Sequence, residues 1–241
     1  MKISFIFLFF FFFLYSLPKD GLKKHGEISF DRKEEQLDVL QKSEKGIVHW
    51  KGFSIGEKES VYFHLPTSKS SILNKVTGSE LSNINGSLFS NGKVYLVNPN
   101  GILVGPKGRI STNAFVGSAL NLLDADYLEN HLHFRKMQDH KIINQGTIEG
   151  KEVFLIGQII ENEGIIKGGR VGLTASEEVV LHDVKTDIYI KPSKSFINNK
   201  GKIISSEVAF IASKNFEELA INQEGLIEAD GFLEKEGKIF L

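Results

Sequence analysis

From Asn144 onward one short pattern keeps returning. It reads Asn144-Gln145-Gly146-Thr147-Ile148, Asn162-Glu163-Gly164-Ile165-Ile166 and Asn199-Lys200-Gly201-Lys202-Ile203. Asn222-Gln223-Glu224-Gly225-Leu226-Ile227 repeats it with one residue added. The glycines at 146, 164, 201 and 225 are spaced by 18, 37 and 24 residues. The 37 reads as about two units of 18 to 19, with a degenerate corner near Lys185 to Asp187. Apolar runs lie between the corners: Val153 to Ile156, Val171 to Leu173, Val179 to Leu181 and Val208 to Ile211. A period near 20 with short strands means a solenoid, in which each unit buries its apolar side on its neighbours. Helical repeats are excluded because no 3.6-residue period accompanies it, and leucine-rich repeats because their leucine spacing is missing. An all-β parallel β-helix remains. At about 4.8 Å of rise per coil, some eight coils make a rod on the order of 40 Å long. Asn and Gly recur at one corner because that corner is expected to need positive φ, which both tolerate. Stacked Asn side chains can also hydrogen-bond up and down the column.

The most corner-dense stretch is Ser82 to Leu122, SNINGSLFSNGKVYLVNPNGILVGPKGRISTNAFVGSALNL. At its centre Asn98-Pro99-Asn100-Gly101 is a turn, with proline fixing φ and Asn or Gly accepting the tight positions beside it. Lys93 to Val97 enters the turn as a strand and Ile102 to Val104 leaves it as another. Gly105-Pro106-Lys107-Gly108 marks a second corner. Upstream, Val48, Trp50, Phe53 and Ile55 predict a half-buried strand bent at Gly52. Ser60 to Leu65 and Ser71 to Gly78 are further strands. Residues 19–46 are mixed in charge, with apolar anchors at Ile28, Phe30, Leu37, Val39 and Leu40, which suits a cap closing one end of a sheet. In 122–141, Leu122, Leu123, Tyr127, Leu128 and Leu132 fit either one helical face or a strand pair outside the main body.

The first segment, MKISFIFLFFFFFLYSLPKD, sets the compartment. Lys2 starts it and an apolar run from Ile3 to Tyr15 follows, too short for the roughly 20 residues of a spanning helix. It reads as a secretory signal peptide over residues 1–16, with cleavage after Ser16. No cysteine is present, which removes disulfides, thiol catalysis and thiolate metal sites. A net charge of −1 gives no field for nucleic acid or an anionic membrane.

Candidate chemistry is sparse. Gly86 to Lys93 has the wrong spacing for a phosphate loop, and Val94 replaces the Ser or Thr that would hold magnesium. His131, His133 and His140 have no supporting carboxylate or cysteine pattern. Asp124, Asp126 and Asp139 are the acids that an extracellular β-helix carbohydrate-active enzyme, a lyase or hydrolase, would need. Nothing orients them, and the reading is not an enzyme. Asn85-Gly86-Ser87 is a glycosylation-type triplet that also serves as a corner.

Taken together, the ordered set of motifs resembles the secretion domain of two-partner-secretion exoproteins of the filamentous-haemagglutinin and high-molecular-weight-adhesin type. The family pattern S-N-I-N-G-x-L, then S-N-G-x-V-Y-L-x-N-P-N-G-I, is present from Ser82 to Gly105. Its W-x-x-F-x-I-G is met by Trp50, Phe53, Ile55 and Gly56, and Leu17-Pro18-Lys19-Asp20-Gly21 echoes the usual mature start. The resemblance implies a right-handed parallel β-helix with an N-terminal cap and small extra-helical elements. A secretion-domain core would run over 17–141, with further coils over 142–241. It implies no cofactor and no nucleic-acid partner. The implied partners are the Sec export machinery, an outer-membrane β-barrel transporter with periplasmic POTRA-type domains, and host-surface glycans or proteins. The protein would pass through the periplasm and finish secreted or on the cell surface. Asn98, Pro99, Asn100 and Gly101 would carry recognition or nucleation, with Asn83, Asn85 and Gly86 next. The strand-like end at Leu241 suggests a fragment, a short relative or a cap of another kind.

Overall fold

The computed structural model describes residues 16–181, 188–190, 194–212, 220–228, 233–235 and 238–240. These form a parallel β-helix whose coils present three faces in a fixed order. The first face begins with Gln36–Gln41, Ser60–His64, Ser87–Ser90 and Arg109–Ser111. The second begins with Lys45–Trp50, Ser71–Val76, Lys93–Val97 and Ala114–Ser118. In later coils a single 11-residue strand serves both faces: Thr147–Gly157, Ile165–Ala175 and Lys202–Ala212. Leu226–Glu228 adds a further rung to the first face. The third face stacks Ser82–Ile84, Ile102–Val104, Lys141–Asn144, Ile159–Asn162, Phe196–Asn199 and Ile221–Gln223.

Register turns the repeat into columns. Leu37, Val61, Leu88, Ile110, Ile148, Ile166 and Ile203 are aligned partners on successive rungs and are 0–1% exposed. The isoleucine of each N-x-G-x-I unit therefore fills the same slot of the core. A fully buried side chain of this size contributes about 1.5–3 kcal/mol, so the column is the main source of stacking energy. On the third face, Ser82, Ile102, Ile142, Ile160, Ile197 and Ile221 align likewise.

The cap forms as expected, and as strands. Ile28–Arg32 pairs antiparallel with Gln36–Gln41, and Leu22–His25 pairs antiparallel with Lys45–Trp50. Inside, Trp50 lies 5.2 Å from Phe30 and 5.8 Å from Phe53, and Phe53 stacks on Phe63 at 6.4 Å. This aromatic stack closes the first coil. Gly21 rests directly on Trp50, where a Cβ would come within 2.5 Å of the ring.

Two excursions leave the helix between its second and third faces. The first holds Asn121–Leu122, a five-residue helix Asp124–Leu128, and Leu132–Arg135. The second holds Glu178–Leu181 and Ile188–Ile190. Together they make an antiparallel sheet laid on the outside of the second face. Leu122, Tyr127, Phe134 and Val179 pack there against Leu73, Tyr95, Val116 and Ile156. The second face is thus buried on both sides, so runs such as Val94-Tyr95-Leu96-Val97 are apolar throughout instead of alternating.

The 37-residue interval is a single coil with an excursion, not two coils. Ile159–Asn162 pairs directly with Phe196–Asn199, so Val179 to Leu181 is not a rung. The corner placed near Lys185 to Asp187 lies outside the described residues. For 122–141 both alternatives hold in part: Leu122 and Leu132–Arg135 belong to an antiparallel pair outside the coils, and Asp124–Leu128 is a short helix.

Candidate recognition corner

Asn98 to Gly101 joins the second face to the third in the coil that begins at Ser87. Its backbone closes with a Gly101 N–H donating to Asn98 O at 2.9 Å. The Asn98 side-chain oxygen accepts from the Asn100 backbone N–H at 2.9 Å and from the Asn100 amide at 2.9 Å. The Asn98 amide then donates down to Glu80 O at 2.9 Å and to Ser82 Oγ at 3.0 Å, and the Asn100 amide donates to Gly78 O at 2.8 Å. Every polar group of Asn98 is spent inside the protein, and the residue is 0% exposed. Pro99 and Gly101 are buried and Asn100 is half-buried. Within the tetrapeptide only Gly101 has positive φ, at 102°.

Asn83, Asn85 and Gly86 lie two corners earlier, where the third face passes to the first. The Asn83 backbone pairs with Ile55, while its side-chain oxygen is buried with no hydrogen-bond partner. Asn85 N–H and Gly86 N–H both donate to Ile55 O, at 2.8 and 3.1 Å. The structure therefore brings Asn83 to Gly86 together with the preceding coil, and the NPNG corner against the Gly78 to Ser82 segment. It does not merge the two sets into one surface.

The corner between the third and first faces is the repeated one, and its chemistry differs from the expected positive φ. Gly86, Gly146, Gly164, Gly201 and Gly225 all have ordinary φ, since Gly26 and Gly101 are the described glycines in the positive range. The reason for glycine is contact. A Cβ on Gly146, Gly164, Gly201 or Gly225 would lie 2.0–2.3 Å from the carbonyl oxygen of the glycine one coil below. Backbones stack at this corner too closely for any side chain. The asparagine column is as anticipated: Asn144 donates to Asn162 at 2.8 Å, Asn162 to Asn199 at 2.6 Å, and Asn199 to Gln223 at 2.7 Å. Asn144, Asn162 and Asn199 are all 0% exposed. The ladder continues an apolar column, because Asn144 aligns above Val104 and Ile84.

The candidate acids and histidines are dispersed into local pairs. Asp124 meets His49 at 2.8 Å, Asp126 meets Arg135 at 3.1 Å and Asp139 meets Lys136 at 2.5 Å. His133 bonds to Glu178 at 2.6 Å, and His131 lies beside Glu129. His140 contacts Gln138. These arrangements hold the excursions and converge on no common point. A clamp that sequence reasoning missed lies nearby. Lys45 Nζ donates to Tyr127 O at 2.9 Å, Leu128 O at 2.7 Å and Asn130 Oδ1 at 2.8 Å, neutralising the end of the short helix. Burial pushes the Tyr127 phenol well above its ordinary range, against the opposing bonds of Ser71 and Gly46. Only a lysine on an outward strand position hinted at this.

A parallel β-helix with an antiparallel N-terminal cap, external β excursions and an NPNG corner defines a class of exported exoprotein domains. The chain belongs to the TPS secretion domain family, whose model matches residues 15–241. It is 29% identical over 213 residues to a heme/hemopexin-binding protein of Haemophilus influenzae, a match covering 81% of this chain and 24% of that protein. A second heme/hemopexin-binding protein from Haemophilus influenzae is 32% identical over 113 residues, 46% of this chain and 12% of the relative. The chain thus spans about a quarter of the first relative's length. Among solved structures, the HMW1 secretion domain from Haemophilus influenzae superposes with a TM-score of 0.70 at 25% identity, covering 88% of this chain and 64% of that one. The filamentous hemagglutinin secretion domain shares the fold, with a TM-score of 0.57 at 11% identity over 88% of this chain and 100% of that one. This is a secretion domain of the two-partner type, and nothing in these likenesses supports a carbohydrate-active enzyme.

Proposed function

We propose that the chain carries the export signal of a surface or secreted exoprotein in two parts. Residues 1–16 act as a Sec-dependent leader, and the mature N-terminal region is then taken up in the periplasm by a cognate outer-membrane β-barrel with POTRA-type domains. The NPNG corner is read in the unfolded or extended chain. What supports this is its burial: Asn98 is 0% exposed once folded, so a partner must meet it before the coils close. Coil formation outside the cell then withdraws the motif and makes export directional. Host-surface glycans or proteins are the contacts proposed for the exposed coils.

The test is export of this chain with and without a cognate outer-membrane barrel of the kind proposed. Secretion that persists unchanged without the barrel sinks the reading. Asn100→Ala separates recognition from folding, since Asn100 is half-buried and its loss leaves the Asn98 anchors in place. A purified N100A protein with wild-type melting but strongly reduced secretion supports recognition. Loss of both assigns the corner to the fold alone.

A further inference from the structure

The loop from Gly56 to Glu59 holds a carboxylate for which the β-helix itself provides no cation. Glu59 is 6% exposed and has no ion-pair partner among the described residues. Its oxygens accept from Gly56 N–H at 2.6 Å, from Ser16 N–H at 2.8 Å and from Ser16 Oγ–H at 2.9 Å. Arg32 donates to Pro18 O and Lys107 pairs with Glu57, while the adjacent Lys58 is exposed. A buried carboxylate met only by neutral donors is expensive, and buried charges are as a rule paired. The space is also kept open, because a Cβ on Gly56 would lie 2.9 Å from Glu59 Oε2 and 3.0 Å from Ser16 Oγ. Directly after Ser16, Leu17 is 2% exposed and Lys19 bridges to Gly52, so the chain is fixed as it passes the carboxylate.

We propose that Glu59 is the socket for the α-ammonium group created when the leader is removed. This rests on the reading of residues 1–16 as a leader. Hydrolysis of the peptide bond adds the elements of water, leaving a carboxylate on the leader and an amine, protonated in water, on the mature chain. Cleavage before Ser16 puts that cation on the nitrogen already 2.8 Å from Glu59 Oε1. Cleavage after Ser16 puts it on Leu17, next to the place Ser16 vacates. With Ser16 as the first residue a buried ion pair replaces a neutral contact, and it forms only in the processed chain. Processing and folding are thereby linked: among the described residues the unprocessed chain offers Glu59 only neutral donors, and processing adds a cation.

The experiment uses the full secreted protein, wild type and Glu59→Gln, with intact mass locating the first residue. Each is acylated with an amine-reactive ester at about pH 7, and modification of the α-amine is read on the N-terminal peptide. Because the free-amine fraction falls about tenfold per unit of raised pKa, the wild-type α-amine should react roughly tenfold or more slowly than that of E59Q. Glu59→Asp keeps the charge on a shorter stem and should fall between, which decides the matter if E59Q does not fold. Correct processing with equal α-amine reactivity in all three proteins overturns the socket alone. A mass that retains residues 1–16 overturns the leader reading and the socket with it.

Discussion

A single methyl group is what the repeated corner excludes. Gly164→Ala would drive a Cβ to 2.2 Å from Gly146 O, where the obstacle is backbone and cannot rotate away. Overpacking of this kind costs about 1–3 kcal/mol or more. Gly157→Ala is the matched control, since its Cβ would meet only ordinary contacts at 3.5 Å and beyond. In a denaturant titration G164A should lose at least about 1 kcal/mol and G157A less than about 0.5 kcal/mol. Equal effects would return the corner to a backbone-conformation explanation. Asn98 makes the complementary case. Asn98→Ala removes the donor to the buried Ser82 hydroxyl and to Glu80 O, and the acceptor of the Asn100 backbone N–H. Each unsatisfied buried group costs about 1–3 kcal/mol, so this variant should melt well below N100A in a thermal scan.

At the scale of elements, what could be read from sequence was whatever repeats. The isoleucine slots, the corner glycines and the Asn ladder were legible because each coil poses the same packing problem and receives the same answer. The excursions were not. Val179-Val180-Leu181 has the composition of a rung, and only its antiparallel pairing with Leu132–Arg135 shows that it lies outside. An interval of 37 residues cannot by itself distinguish two coils from one coil with an insertion. The NPNG site was legible as a turn, whereas its burial depends on the Glu80 and Ser82 partners of the coil below. The Lys45 clamp was invisible, because 82 residues separate Lys45 from Tyr127. Its role is nevertheless testable. Lys45→Met should leave coil pairing intact and speed amide exchange in 124–135, by a few-fold to about tenfold for a loss near 1 kcal/mol. Uniform exchange changes over the whole chain would mean that the excursion and the coils open together.

For the whole molecule, charge contributes a modest acid limb to stability. Glu149 bridges coils through Lys167 at 3.0 Å and Arg109 at 3.1 Å. The Lys167 hydrogen bond, opposed by burial and aided by both cationic charges, holds its carboxyl below the ordinary value of 4.5. A depressed folded value means that the stabilisation is present above the unfolded pKa and is lost as pH falls through the folded one. Glu149→Gln should therefore lower stability at neutral pH by no more than about 1 kcal/mol and converge with wild type in acid. Larger differences come from the stacking itself. A solenoid's stability is close to a sum over neighbouring coils, and the two ends of the described rod differ. One end is closed by Phe30, Trp50, Phe53 and Phe63 under antiparallel strands. Toward the other, Ile221–Gln223 has no fully buried residue and Leu226 is 52% exposed. Opening should therefore start at the later coils and travel toward the aromatic stack. Amide exchange should show protection highest through the coils of Ser60 to Leu173 and falling stepwise to residues 221–228. A single shared opening free energy along the whole rod would contradict neighbour-by-neighbour stacking and would also remove the physical basis for coil-by-coil folding during export.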